Sequence, residues 1–319
     1  MRSTVPTTPA AAVSDVHKQH VVSATVLRRF ATDGPGSAGL QILPIELEYL
    51  WERRPKPKGV GGCGWIKDFV PFDSGSMENV WGATERHLPS AFRAVEDSSI
   101  FQDPQLTAVL RDTVALHYIR SERTRTLHKN TVKAWSARGP QRHSADLLRR
   151  AAAKGIDLSL SGPDDLTDIV EQQIAQIRAE FSSGELLRND MEDLYADARG
   201  LLSTWQLEIL TAGEGEFVIG DTPAITMRTD ADGNITSDGI VIGQCHTTVL
   251  PIGPKHCLAL GPANSMRGEL SSAVVDLLNR AQVKSAHRWI YSRPRDVQTL
   301  RDLVQRGLEL PLTMHPSRG

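Results

Sequence analysis

Asp221 stands where two chain breakers hold it still. The stretch Glu216 to Met227 reads Glu-Phe-Val-Ile-Gly-Asp-Thr-Pro-Ala-Ile-Thr-Met. Phe217, Val218 and Ile219 suit a buried strand, Gly220 and Pro223 interrupt it, and Ala224 to Met227 resume it. A carboxylate fixed at such a corner either organises its own turn or meets another group. Cys245-His246 and His256-Cys257 flank the turn Pro251 to Pro254, and thiolate with imidazole would suit zinc if a hairpin brought the pairs together. Neighbouring strand residues point to opposite faces, so a buried cysteine and a surface histidine on each strand is the plainer expectation. Gly59, Gly61 and Gly64 have the spacing of a dinucleotide fingerprint, but Arg-Arg-Pro-Lys-Pro-Lys precedes them where a hydrophobic strand is required, which rules that reading out. Cys63 among these glycines is a nucleophile candidate only if exposure and nearby cations lower its pKa. Otherwise it is a loop cysteine.

Arg123 and His128 have the Arg-four-residues-His spacing of one class of helical ribonucleases, which act on phosphodiesters. Ten histidines and many arginines produce such pairs by chance, and two solvated helix residues are the alternative. Between Arg120 and Lys154 ten Lys or Arg stand against two acidic residues, while between Asp164 and Asp197 ten acidic residues stand against Arg178 and Arg188. Adjacent helical blocks of opposite charge are expected to pack as an antiparallel hairpin. In the other reading the basic block, Arg120 to Lys154, meets an anionic small molecule or nucleic acid. Tyr118 and Trp135 are the isolated stacking candidates there.

The elements that must position these groups follow from periodicity. Leu40 to Leu50 alternates loosely as a strand, and a basic loop, Arg53 to Lys58, follows. Trp81 to Val95 is helical in pattern, and Asp103 as N-cap with Pro104 opens a longer helix carrying Leu106, Leu110, Val114 and His117 on one face. Pro163 and Asp164 begin a helix with an apolar stripe through Leu166, Ile169, Val170, Ile174, Ile177 and Phe181, and Glu185 to Ser203 forms another. Trp205 to Leu260 reads as strands with turns at Asp232-Gly233 and Pro251 to Pro254. Ser271 to Val283 returns to helix, His287 to Tyr291 is a last strand and Pro294 to Arg306 a closing helix. Segregated helices and strands predict an α+β fold, with a central helical region and a mostly antiparallel sheet formed by N-terminal and C-terminal strands. The expected organisation is a disordered tail over 1–15 and a single domain over 16–319, with its helical subregion at about 80–203.

With 319 residues, 40% of them hydrophobic, the chain is long enough to bury a large core. A formal net charge of -2 gives no global pull toward nucleic acid or acidic membranes, so any such attraction is local. No apolar run approaches the roughly 20 residues of a membrane span. Residues 1–15 lack the apolar core of a signal peptide, and three scattered cysteines make no secreted disulfide framework, so a cytoplasmic location is expected.

Three segments together resemble a bacterial family known as domain of unknown function 4238. They are Gln19-His20 with Leu27, Arg28, Arg29 and Phe30, the corner Gly220 to Pro223, and the turn Pro251 to Pro254, in matching order over roughly residues 17 to 305. Gly220 stands where the family usually has serine, and Thr222 where it has asparagine. The resemblance implies His20, Glu85, Arg120 and Asp221 as the matched polar positions. As chemistry these make a base, two carboxylates to orient it or hold a metal, and an anion clamp. As structure they make one buried ion-pair network. The resulting expectation is a hydrolase acting on a phosphodiester or other anionic substrate, set against a non-catalytic protein-binding or regulatory module. It requires all four side chains to gather at the Asp221 corner. No cofactor, cofactor-binding residue or metal ligand is assigned.

Overall fold

The computed structural model describes residues 16–36, 38–138, 140–153, 163–230, 235–237, 240–261 and 267–309. The 1–15 segment and the Asp232-Gly233 turn of the sequence reading lie outside them. The chain forms β1 (Lys18–His20), α1 (Ala24–Arg29), β2 (Thr32–Asp33), β3 (Leu40–Glu46), β4 (Lys58–Gly59) and β5 (Trp65–Lys67). Helices α2 (Ser74–Glu85), α3 (Leu88–Glu96), α4 (Pro104–Ile119), α5 (Glu122–Ser136), α6 (Pro140–Ala153), α7 (Pro163–Ser183) and α8 (Glu185–Ser203) follow. Then come β6 (Gln206–Ala212), β7 (Ile219–Gly220), β8 (Ile225–Thr229), β9 (Ile235–Thr236), β10 (Thr247–Pro251), β11 (His256–Gly261) and β12 (Arg267–Leu270). The last elements are α9 (Ser272–Ser285), β13 (Trp289–Ser292) and α10 (Val297–Glu309).

The fold is α+β, with strands before and after a helical middle, and its pairings are antiparallel except β12 against β6. The expected sheet is divided. Strands β12-β6-β11-β10-β8-β9 form one sheet, β2-β3-β13-β7 with β4 against β3 form a second, and β1-β5 make a two-stranded ribbon. N- and C-terminal strands meet in the second sheet, where Glu46 to Leu43 of β3 face Trp289 to Ser292 of β13.

That second sheet is a wall between two cores. Ile42, Ile219 and Tyr291 point into the larger core, which holds α1, α2, α4, α8 and the six-stranded sheet, while Leu43, Ile45, Val218 and Ile290 point into a smaller one closed by Leu300, Leu303 and Val304 of α10. The loose alternation read in Leu40 to Leu50 is therefore a change of destination, with Ile42 to Ile45 buried throughout.

The helix from Trp81 to Val95 is in fact two. A proline ring clashes with the carbonyl four residues back, and Pro89 near the start of α3 places that break at Glu85. Asp103 caps α4 as expected, its side chain accepting from the backbone N–H groups of Gln105 and Leu106. The basic and acidic blocks do pack, α5 and α6 against α7. Their charges mostly do not face each other: Glu122–Arg125, Asp146–Arg149 and Arg188–Glu192 pair within single helices. His128 to Asp190, at 2.9 Å, is the ion pair that joins the two blocks among the described residues. Leu166, Val170 and Ile174 of α7 are buried, although Ile169 of the same stripe is exposed.

Candidate functional site

Three of the four expected polar residues meet. Helix α2 sets Glu78, Trp81 and Glu85 on one face by i, i+3, i+7 spacing. The last turn of α4 and its C-cap supply His117 and Arg120. Strand β1 brings His20, held opposite Trp65 of β5. Arg120 is 1 % exposed. It donates from Nη2 to Glu85 Oε1, and its guanidinium carbon lies 5.0 Å from the Trp81 ring centre. Cation and aromatic face add to the ion pair where water is scarce.

Charges and burial set the protonation of this cluster. Burial pushes the Glu85 carboxyl up, but the charge and hydrogen bond of Arg120 outweigh it and hold Glu85 below its ordinary value. Burial lifts Glu78, which Arg120 opposes and Glu85 reinforces. Burial, then Arg120, lower His20. Four buried polar atoms, His20 Nε2, Glu78 Oε1, Trp81 Nε1 and Arg120 Nε, have no hydrogen-bond partner among the described residues. Interiors rarely leave such atoms unmatched, and these four fall on one set of neighbours.

His117 is different. Its Nε2 accepts from the Ser23 N–H at 3.1 Å and its Nδ1 donates to Thr113 O at 2.9 Å, which fixes a neutral ring between α1 and α4. Burial, with Arg120 nearby, lowers its pKa to about 4. Against an unfolded value near 6.5, the unfolded chain binds more protons between those limits, so stability is full above pH 6.5 and is lost as pH falls toward 4. The loss reaches about 2 kcal/mol at pH 5. Melting temperature should fall between pH 7 and 5, and His117→Asn should flatten that slope. An unchanged slope in the variant would show that other groups set it.

Asp221 sits apart from the cluster. Its Oδ1 accepts from the His287 N–H at 2.7 Å, and its Oδ2 accepts from Arg288 and Trp289 at 2.8 and 2.9 Å. Its own N–H donates to Trp289 O. Burial raises its pKa and the three donors pull it back. The corner is where the chain leaves one sheet for the other, β7 to β8, and the carboxylate organises the approach to β13 rather than its own turn. Asn279 and Gln282 of α9 complete it. Each takes one backbone N–H (Val218, Gly220) and gives one amide hydrogen to a carbonyl (Glu216, Pro223). A Cβ on Gly220 would lie 3.2 Å from Ala286 Cβ and Gln282 O, which is why glycine suits this corner in place of serine.

Asp221 lines a cavity of about 430 Å3 with Cys63, Tyr291 and Trp65. Val21 and Trp65, neighbours of His20, line it, but His20 does not. Gly64 ties the two places together. Its N–H donates to Tyr291 Oη and its carbonyl accepts from Val21 and Val22, at a φ of 71° where an added Cβ would meet Leu27 Cδ1 at 2.5 Å. The glycine run serves this close approach.

The remaining candidates part company. Five residues along α5 turn through about 140°, so His128 pairs with Asp190 and stacks on Phe181 while Arg123 lines a separate cavity beside Thr222. Cys63 is buried and its pKa raised, the opposite of an activated thiol. Pairing of Thr248 with Leu260 and Pro251 with Cys257 puts Cys245-His246 and His256-Cys257 at opposite ends of the β10–β11 hairpin, roughly 17 Å of strand apart. Arg120 is interior, so the basic block's surface begins after it. Tyr118 and Trp135 are no free platforms, since Tyr118 Oη accepts from Ile242 N–H and Trp135 packs on His143.

Sequence reasoning missed Glu78, Trp81 and His117. The signal for the first two was their spacing with Glu85. The matched family positions outside the cluster are structural. Gln19 Oε1 accepts from Val70 N–H, Leu27 and Phe30 are core, and Arg29 Nε donates to Ile252 O in the Pro251 to Pro254 turn at 2.6 Å.

Fold and site define an α+β protein with a buried, incompletely paired His–Glu–Arg cluster where an N-terminal ribbon meets the helical middle. The chain belongs to the family described as protein of unknown function, DUF4238, whose model matches residues 18–296. No curated protein and no solved structure matches it. Among the described residues no helix is long and apolar enough to cross a membrane.

Proposed function

We propose that the chain is a cytoplasmic hydrolase of a phosphodiester or other anionic substrate, centred on His20, Glu85 and Arg120. The carrying observation is the set of unpartnered polar atoms around the Arg120–Glu85 pair. His20, kept neutral by burial and by Arg120, takes a proton from water at Nε2. Arg120, oriented by its pair with Glu85, holds the substrate oxygens with its unpartnered Nε–H. Glu78, the carboxyl that burial lifts, returns a proton to the leaving oxygen. Asp221 acts at a distance, by fixing the β13 approach. Free Cys63, Cys245 and Cys257 fit a reducing compartment.

One observation favours a non-catalytic module: Arg120 is almost wholly interior, so substrate must reach it past Glu85, whose side chain is 24 % exposed. A screen of the purified protein against chromogenic phosphodiesters, nucleotides and nucleic acids, with and without divalent metals, separates the two. Turnover above that of a His20→Ala control supports the hydrolase. No turnover on any of them rejects it.

A further inference from the structure

Two cavities lie end to end beside β3, β13 and the Arg53 to Lys58 loop. The one beside Asp221 adjoins a second of about 470 Å3 walled by Tyr49, Arg53 and Arg54, and Pro44, Lys58 and Trp289 belong to both. Each is within the roughly 300–1,000 Å3 usual for a small-ligand site. The shared wall makes them one groove.

Aromatic rings recur along it, each with a cation beside it. Lys18 Nζ lies 4.5 Å from the Trp65 ring centre, and Lys58 and Arg288 lie 5.9 and 5.3 Å from Trp289. Arg53 lies 4.7 Å from Tyr49. Beyond the second cavity Arg301 lies 5.9 Å from Trp51, which is 52 % exposed. Arg53, Arg54, Lys56, Lys58 and Lys67 have no ion-pair partner among the described residues, whereas of the carboxylates lining the cavities Glu46 is engaged by Arg288, Glu122 by Arg125 at 3.6 Å and Asp221 by backbone. Pro55 and Pro57 stiffen the loop that carries these charges. A net charge of -2 makes this positive strip local.

We propose that this groove binds single-stranded nucleic acid, with bases stacking on the aromatic rings and phosphates held by the unpaired cations. Flat rings call for flat partners, and a run of unmatched positive charges calls for a polyanion. Two consecutive compartments fit successive nucleotides better than one, and a duplex hides the base faces. The proposal stands apart from the chemistry assigned to His20.

The test is fluorescence anisotropy of the full chain with labelled 12-mers of oligothymidylate and oligouridylate. Binding should weaken with salt at a log–log slope near -3, for about four or five phosphates neutralised. The combined variant Arg53→Gln, Arg54→Gln, Lys56→Gln should reduce that slope by about 2. Trp51→Ala and Trp289→Ala should each weaken binding about 5- to 100-fold, with Trp289→Phe retaining most of it. Trp51 is exposed enough that its loss leaves folding intact. The proposal fails if no strand binds at 50 mM salt (roughly a 14 Å screening length), or if duplex binds as tightly. It also fails if mononucleotide binds as tightly as the 12-mer, or if the aromatic variants bind as wild type does.

Discussion

Alanine at position 20 is expected to slow turnover of the anionic substrate about 10²- to 10⁴-fold, the usual worth of a positioned general base, while melting temperature moves by no more than about 2 °C. The reason lies in what the imidazole does not do. Its Nε2 has no partner among the described residues, so truncation strands no donor, and the β1–β5 pairing that places it is backbone. His20→Gln should be as inactive, because an amide cannot take up the proton. Because burial and Arg120 lower the pKa of His20, its neutral form persists below pH 6.5, and the acidic limb of the rate profile should lie below that value. A collapse of the melting temperature in His20→Ala would mark the ring as a structural member of the cluster.

Removing the Asp221 carboxylate is expected to destabilise the fold by about 3–5 kcal/mol, because three consecutive backbone N–H groups lose their acceptor at once. In a chain of 319 residues about 4 kcal/mol corresponds to roughly 6 °C in melting temperature. Asp221→Asn retains one acceptor oxygen and should fall between wild type and Asp221→Ala. Thermal melts of the two variants check this. An Asp221→Ala protein that melts with wild type would show that the 287–289 segment holds itself without the corner.

The helices that nucleate on local chemistry were legible in the residues. Asp103 with Pro104, Pro163, and the span Glu185 to Ser203 lie where capping and periodicity place them, because those signals are short-range. The two misread elements failed for different reasons, one local and overlooked and the other set by packing. Pro89 acts four residues back, and a strand buried on both faces loses the contrast between polar and apolar residues on which alternation depends. His20, Glu85 and Arg120 were singled out by the family resemblance and not by residue pattern or spacing, and the fold brings them near one another. That Asp221 would turn to the backbone of residues 287–289 was not, because the pairing that brings β13 to β7 is non-local. The aromatic–cationic groove was equally hidden, since Trp65 and Trp289 come from opposite ends of the chain.

The pairing of β3 with β13 also governs when the molecule can finish folding. Arg288 and Glu46, 242 residues apart, are bonded across it. Closing so long a loop costs about 5 kcal/mol of chain entropy before any contact returns it, and distant pairings of this kind slow folding. During synthesis the length of β3 that takes β13, Leu43 to Glu46, therefore stays unpaired until residue 292 has emerged, and both hydrophobic compartments stay open on that side until β13 arrives.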